Sequence, residues 1–355
     1  MTDAARMVAR IRWQAEACRE LGSPLYERLL HHVADDVLAG GPAAEVLAGH
    51  ESDPGPSALA LRLMGAVHRL VLERRAPGLA LFYPSVGGTG MAAGAWPPLR
   101  DVLAVHRDGL RSRLDQPPQT NEVGRAAALV GGLCHLVARR PGPVRLVEIG
   151  ASAGLNLRAD RFRVALPGGR GVGPADSPVV LDDPWRGALP PLDGVTGDEL
   201  EVVERNGCDT SPVDPTTEEG RLALTSYVWP DQRARMERLR GALTVAAQVP
   251  AVVTRESARD LVRRVELVPG TTTVIWHSVM WQYLDDGERS DVLARIDELG
   301  EQSRDGSALA HLQLEPRRRT PSSDIEVLVV LRTWPGGEER ALGSAPPHGV
   351  PTTWE

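Results

Sequence analysis

The chain has 355 residues, long enough for two domains, and its 42% hydrophobic and 25% charged residues are ordinary for a globular protein. A net charge of −7, with no sustained basic patch, argues against a nucleic-acid partner. Lysine does not occur, so all 40 basic residues are arginine, which excludes a Walker-A lysine, a Schiff-base lysine and a Ser-Lys dyad.

Further expectations follow from what the sequence lacks. No apolar run reaches the ~18 residues that span a bilayer, so no membrane partner is expected. Met1-Thr2-Asp3 opens neither a basic leader nor an apolar secretory core. Cys18, Cys134 and Cys208 are far apart and form no CxxC pair, which suits a reducing compartment; the expected location is cytoplasmic. His31, His32, His68, His106 and His135 share no ligand spacing with carboxylates, and no metal is expected. Arg317-Arg318-Arg319 is the densest basic run and reads as a solvated loop.

Apolar spacing of three and four predicts helices over 7–21, 25–38, 57–75 and 99–114. Leu59, Leu63, Val67, Leu70 and Val71 form the clearest stripe. Pro and Gly punctuate 40–42, 53–56, 84–98 and 117–118. A further helix is expected from Thr120 or Asn121, good cap residues, to about Arg139, where Pro141-Gly142-Pro143 stops it. The texture then changes. Val144-Arg145-Leu146-Val147-Glu148-Ile149 reads as a strand, followed by Gly150-Ala151-Ser152-Ala153-Gly154 and an expected helix. A Gly- and Pro-rich insertion near 165–198, with a strand at 179–181, comes next. Later strands are expected at 200–203, 251–254, 272–277, 308–314, 326–332 and 338–342, with helices at 231–247 and 287–302. Alternating strands and helices imply an α/β fold, a Rossmann-like and mostly parallel sheet; Pro335-Gly336-Gly337 turns its end into an antiparallel hairpin. The expected division is a helical N-terminal domain, 1–118, on the cap or substrate side, and a Rossmann-like domain, 119–355.

The glycine loop is the most informative segment. Gly150 and Gly154 allow a sharp turn and close approach of a ligand, and a helix after them offers free N–H groups. Glu148 ends the strand where open α/β sheets place ligands. The segment resembles motif I of the S-adenosylmethionine-dependent methyltransferases, and a mostly parallel sheet ending in a hairpin is the class I arrangement. That resemblance implies S-adenosylmethionine as cofactor, with Glu148 near its cationic end and Glu204 or Asp209 at the ribose. It puts an adenine contact at Ser257 or Glu256, although Ser257 stands where such enzymes often carry Asp. The same residues also spell G-x-S-x-G, the nucleophile elbow of a serine hydrolase, with Ser152, Asp324 and His348 in chain order and Gly87-Gly88 as an oxyanion loop. A tight turn without a ligand is the third reading. Against the hydrolase, the preceding chain is largely helical.

His277, in Trp276-His277-Ser278-Val279-Met280-Trp281-Gln282-Tyr283, stands at the next functional strand end, either as a general base or as a half-buried histidine bonded to backbone. Gln119-Thr120-Asn121-Glu122-Val123-Gly124-Arg125 opens the preceding helix; Arg125 suits a carboxylate, including that of the cofactor, and Asn121 lies beside it. Taken with Tyr227-Val228-Trp229-Pro230-Asp231-Gln232, where Asp231 is expected to cap a helix, these motifs resemble a bacterial family catalogued as domain of unknown function 2332. The resemblance spans nearly the whole chain and implies a methyltransferase-like fold with a helical N-terminal region, found mostly in actinobacteria and their relatives. The expected function is a transferase: O- or N-methylation of a small-molecule substrate, with Glu148, Gly150, Ser152 and Gly154 as cofactor loop, Arg125 as anchor and His277 as base. The other classes left open are a serine hydrolase and a methyltransferase-like fold whose chemistry has changed or been lost.

Overall fold

The apolar stripes of the first part of the chain become helices. A computed structural model describes residues 3–115, 118–192 and 200–355. Met1 and Thr2, Pro117 of the expected punctuation and 193–198 of the expected insertion lie outside the described residues. The chain divides into two units, Met1–Thr120 with Thr217–Met236, and Asn121–Thr216 with Glu237–Glu355.

The first unit is built from helices Asp3–Glu20, Pro24–Leu38, Leu59–Leu72, Trp96–Val105, Arg107–Leu114 and Glu218–Ser226, with shorter turns between them. Leu63 and Val67 of the predicted stripe are fully buried with Leu29, Leu30 and Val33 of the second helix. Asp231 does not cap its own helix, which begins at Arg233. Its carboxylate instead accepts from Ser23 Oγ at 2.7 Å and Leu25 N at 3.0 Å, satisfying the start of helix Pro24–Leu38. His68 is buried in this unit, its Nδ1 3.1 Å from the Ser226 carbonyl and its Nε2 2.8 Å from Ser85 Oγ.

The second unit holds twelve strands among its described residues: β1 (Val144–Ile149), β2 (Arg163–Ala165), β3 (Gly171–Val172), β4 (Val180–Asp182), β5 (Trp185–Gly187), β6 (Val202–Asp209), β7 (Val252–Arg255), β8 (Thr271–Ser278), β9 (Ser307–Arg318), β10 (Ile325–Trp334), β11 (Glu338–Ser344) and β12 (Thr352–Trp354). Nine of them form one sheet in the order β5-β12-β11-β10-β9-β8-β1-β6-β7, and β3-β2-β4 form a small second sheet. β7, β6, β1, β8 and β9 are mutually parallel. β8 is buried along nearly its whole length, as a strand covered on both faces should be. Val147, Ile149, Ile275 and Leu309 pack on one face with helices Ala258–Arg263 and Asp286–Gln302.

Two expectations need correction, and a third is met with an addition. The hairpin of β10 and β11 is present, but the sheet continues past it through β12 and then β5. The predicted insertion thus returns a strand to the far edge, where it buries Trp185 and Trp354. The helix Ala126–Arg139 is capped neither by Thr120 nor by Asn121; a 3-10 turn, Val123–Arg125, precedes it, and Glu122 accepts from Gly124 N at 3.0 Å. After Gly154 the chain forms not a regular helix but a kinked 3-10 stretch, Asn156–Arg161. Asn156 to Asp160 are all buried there, so the exposed face of an amphipathic helix is missing. Arg158 turns inward to donate to the Val249 carbonyl at 2.6 Å and the Gly154 carbonyl at 2.7 Å.

Candidate functional site

The chain enters the sheet at β1, places β5 at the far edge, moves outward from β1 through β6 and β7, and then returns to the other side of β1 with β8 and β9. The direction of winding therefore reverses between β1 and β8. Open α/β sheets bind ligands beyond the carboxyl ends of the strands at such a reversal. The glycine loop follows β1 there, and the segment after Ser278 follows β8.

Gly150 and Gly154 have φ of +69° and +64°, and Ser152, without a glycine's freedom, has φ +52°. The protein holds this loop closely. Ala151 N donates to the Cys208 carbonyl at 2.9 Å and Ser152 N to Asp209 Oδ2 at 2.9 Å. Leu155 N donates to Asn121 Oδ1 at 2.8 Å. Asp209 also accepts from Ser211 N at 2.8 Å through its other oxygen. Asp209 and Asn121 are thus brought to the loop, where they bind its amides. A Cβ on Gly150 would lie 3.0 Å from Met280, so the segment after β8 rests directly on the loop.

Glu148, two residues before Gly150, projects from the face of β1 opposite Val147 and Ile149 and is 2% exposed. In register it lies between Gly207 of β6 and Trp276 of β8. Its Oε2 and the Trp276 Nε1 are both buried without a hydrogen-bond partner, and so is Asn156 Oδ1 nearby in the loop's 3-10 stretch. Burial pushes the Glu148 carboxyl up to about 8, against the pull of the Trp276 indole and the Arg125 charge. Such a group is largely neutral at pH 7.

His277 is neither at an open mouth nor bonded to backbone. It is buried, with Nδ1 2.8 Å from Glu315 Oε1 and Nε2 3.0 Å from His311 Nε2, and Trp281 stacks on its ring at 4.7 Å. Burial, and then the neighbouring His277, hold the His311 imidazole well below its ordinary range. The same Glu315 oxygen accepts from Met280 N at 3.0 Å and Trp281 N at 3.3 Å. Arg125 donates from Nη1 to the Ser278 carbonyl at 3.0 Å and from Nε to the Pro347 carbonyl at 2.9 Å, so it ties the end of β8 to the segment before β12.

Ser257 follows β7 and caps helix Ala258–Arg263, accepting from Asp260 N at 3.1 Å. Glu256 pairs with Arg264, and Glu204 with Arg145 inside the sheet. For the hydrolase constellation, Asp324 lies exposed in the turn between β9 and β10, and the His348 carbonyl packs on Gly124. The Gly87 and Gly88 amides donate to the Pro84 and Tyr83 carbonyls of their own turn. His311 and Glu315 escaped the sequence reading. A signal was present: His311, Gln313 and Glu315 alternate with Ala310, Leu312 and Leu314, so an interior strand carries a row of polar side chains on one face. Among the described residues, no group of three or more His, Cys, Asp or Glu could hold a metal ion, and no helix is long and apolar enough to cross a membrane.

A family model described as "Uncharacterized protein conserved in bacteria (DUF2332)" matches residues 8–354. No curated protein and no solved structure matches the chain.

Proposed function

The chain belongs to this DUF2332 family, and we propose that it is a methyltransferase that uses S-adenosylmethionine on a small molecule. The observation that carries the reading is Glu148: a buried carboxyl with one unpartnered oxygen, two residues before a glycine loop, at the winding reversal of a parallel sheet. A buried polar atom without a partner calls for one, and a ligand ammonium would complete Glu148 as an ion pair. When bound, S-adenosylmethionine supplies an electrophilic methyl group on sulfur. The chain's own part is to hold and orient. Glu148 receives the cationic end, Gly150 and Gly154 admit close approach, and Asp209 and Asn121 keep the loop in shape. Arg125 fixes the end of β8, and Ser257 borders the far side of the site beyond β7. His277 takes the acceptor's proton at Nε2 once His311 has withdrawn from that nitrogen and Trp281 from the ring. Catalysis rests on alignment and exclusion of water more than on acid–base chemistry.

Calorimetric titration with S-adenosylmethionine and S-adenosylhomocysteine tests this. Micromolar binding, lost in Gly150→Val, is expected: the side chain would press on Met280 and strain a backbone at φ +69°. No heat and no thermal shift with either nucleoside, in a folded sample, would sink the assignment. One observation favours a second reading: the positive φ of Ser152 is the strained geometry of a nucleophile on a strand-end turn. A serine hydrolase would be labelled by a fluorophosphonate probe in a manner abolished by Ser152→Ala. A protein that binds neither probe falls to the partner-binding class.

A further inference from the structure

We propose that Glu315 is the positioning residue of this site: one carboxylate oxygen fixes the tautomer of His277 and the turn that rests on the glycine loop. The inference takes the site of the preceding section as its premise.

Glu315 is buried; its Oε1 accepts from Met280 N and Trp281 N and lies 2.8 Å from His277 Nδ1, while its Oε2 is buried outside hydrogen-bond geometry. The two backbone amides can only donate. Oε1 already accepts from two amides and so has no hydrogen of its own to give; as a carboxylate oxygen it accepts from His277 as well, which places the His277 proton on Nδ1. His277 Nε2 then carries a lone pair and accepts from His311 Nε2–H across 3.0 Å. This assignment gives every contact in the chain a donor and an acceptor with both rings neutral. His277 is thereby presented in one tautomer, its basic nitrogen is occupied by His311, and its ring is covered by Trp281.

The turn that supplies Trp281 is unusual in its backbone. Val279 has φ +49°, a conformation that a β-branched residue rarely adopts and that persists only where its surroundings impose it. The restraints come from neighbouring residues of β9. Val279 N donates to the Leu314 carbonyl at 2.9 Å, and the next two amides end on Glu315. Met280, between them, meets the space over Gly150. Releasing Glu315 would free Met280 from the loop and Trp281 from His277 together, so the cover of the loop and the cover of the His277 ring are governed by one side chain.

Proton-detected nitrogen spectra of the full-length, ligand-free protein read the tautomer directly. His277 is expected to be protonated at Nδ1 and bare at Nε2; the reverse would overturn the proposal without recourse to any variant. Glu315→Gln keeps an oxygen for the same donors but removes the charge. In it the two ring nitrogens of His277 should move toward the averaged shifts of a tautomer mixture. The Met280 and Trp281 amides should exchange about tenfold faster, because a neutral acceptor holds them more weakly. A folded Gln variant with both readings unchanged would leave Glu315 a bystander. These readings need no cofactor. Failure of the nucleoside titration would remove the methyltransferase reading alone, while unchanged spectra beside intact nucleoside binding would remove only the role of Glu315.

Discussion

A carboxyl such as Glu148, buried and in no ion pair among the described residues, is costly in its charged form even with the Arg125 charge acting on it, and the cost depends on pH in a definite direction. Its pKa rises from 4.5 to about 8 on folding because burial disfavours the anion. The folded state therefore holds the proton more tightly than the unfolded chain between these values. Stability is full below 4.5, falls as pH rises through the window, and levels off above about 8. Glu148→Gln has no proton to lose. The variant should match the wild type near pH 4.5 and be more stable above pH 8, by on the order of a few kcal/mol. Chemical denaturation at several pH values checks this; a constant difference across the series would mean that Glu148 does not titrate as described. The same variant should bind S-adenosylmethionine more weakly, so stability gained and binding lost would trace to one carboxyl. Glu148 was legible in the sequence because a strand, an acid and two glycines occur in one short string. Its burial and its empty oxygen were not, since they depend on Gly207 and Trp276, contributed by strands far along the chain.

Individual elements are set by contacts of unequal range, and that range decides what the sequence reveals. β1 was legible to the residue, and β8 and β9 within one to four residues at each end, because a covered parallel strand is a short apolar run between turn residues. The 3-10 stretch Asn156–Arg161 was not, because its geometry follows from Arg158 reaching the Val249 carbonyl, a partner over ninety residues away. Asp231 shows the same effect in the helical unit. Its place before a helix suggested a local cap, yet its oxygens serve Ser23 and Leu25. Asp231→Ala leaves the Leu25 amide and Ser23 hydroxyl without that acceptor and should cost about 1–2 kcal/mol, the range for a lost helix cap. Urea unfolding followed by helical circular dichroism would measure it. A loss close to zero would mean that water replaces the carboxylate at no cost.

Across the sheet as a whole, the parallel strands around β1 build the candidate site, while β10, β11, β12 and β5 extend the sheet away from it. The extension draws on two distant pieces of sequence, one from the region read as an insertion and one after the hairpin. Neither β5 nor β12 exceeds three residues, and strands so short contribute few ladder bonds. Their side chains must supply most of what holds them. Trp354 is 2% exposed, meets Trp185 edge-on at 6.0 Å, and lies over the position where Gly131 lacks a side chain. Trp185 in turn donates from Nε1 to the Ala127 carbonyl at 3.0 Å. Removing the Trp354 ring leaves a cavity between Trp185 and the helix Ala126–Arg139, so Trp354→Ala should cost about 3–5 kcal/mol. The loss should appear as a lower unfolding midpoint in urea. Hydrogen exchange would locate it, with the β11 and β12 amides losing protection before those of β1 and β8. Equal loss in all four strands would instead make the sheet one cooperative unit from edge to edge, with the candidate site as sensitive to Trp354 as to its own residues.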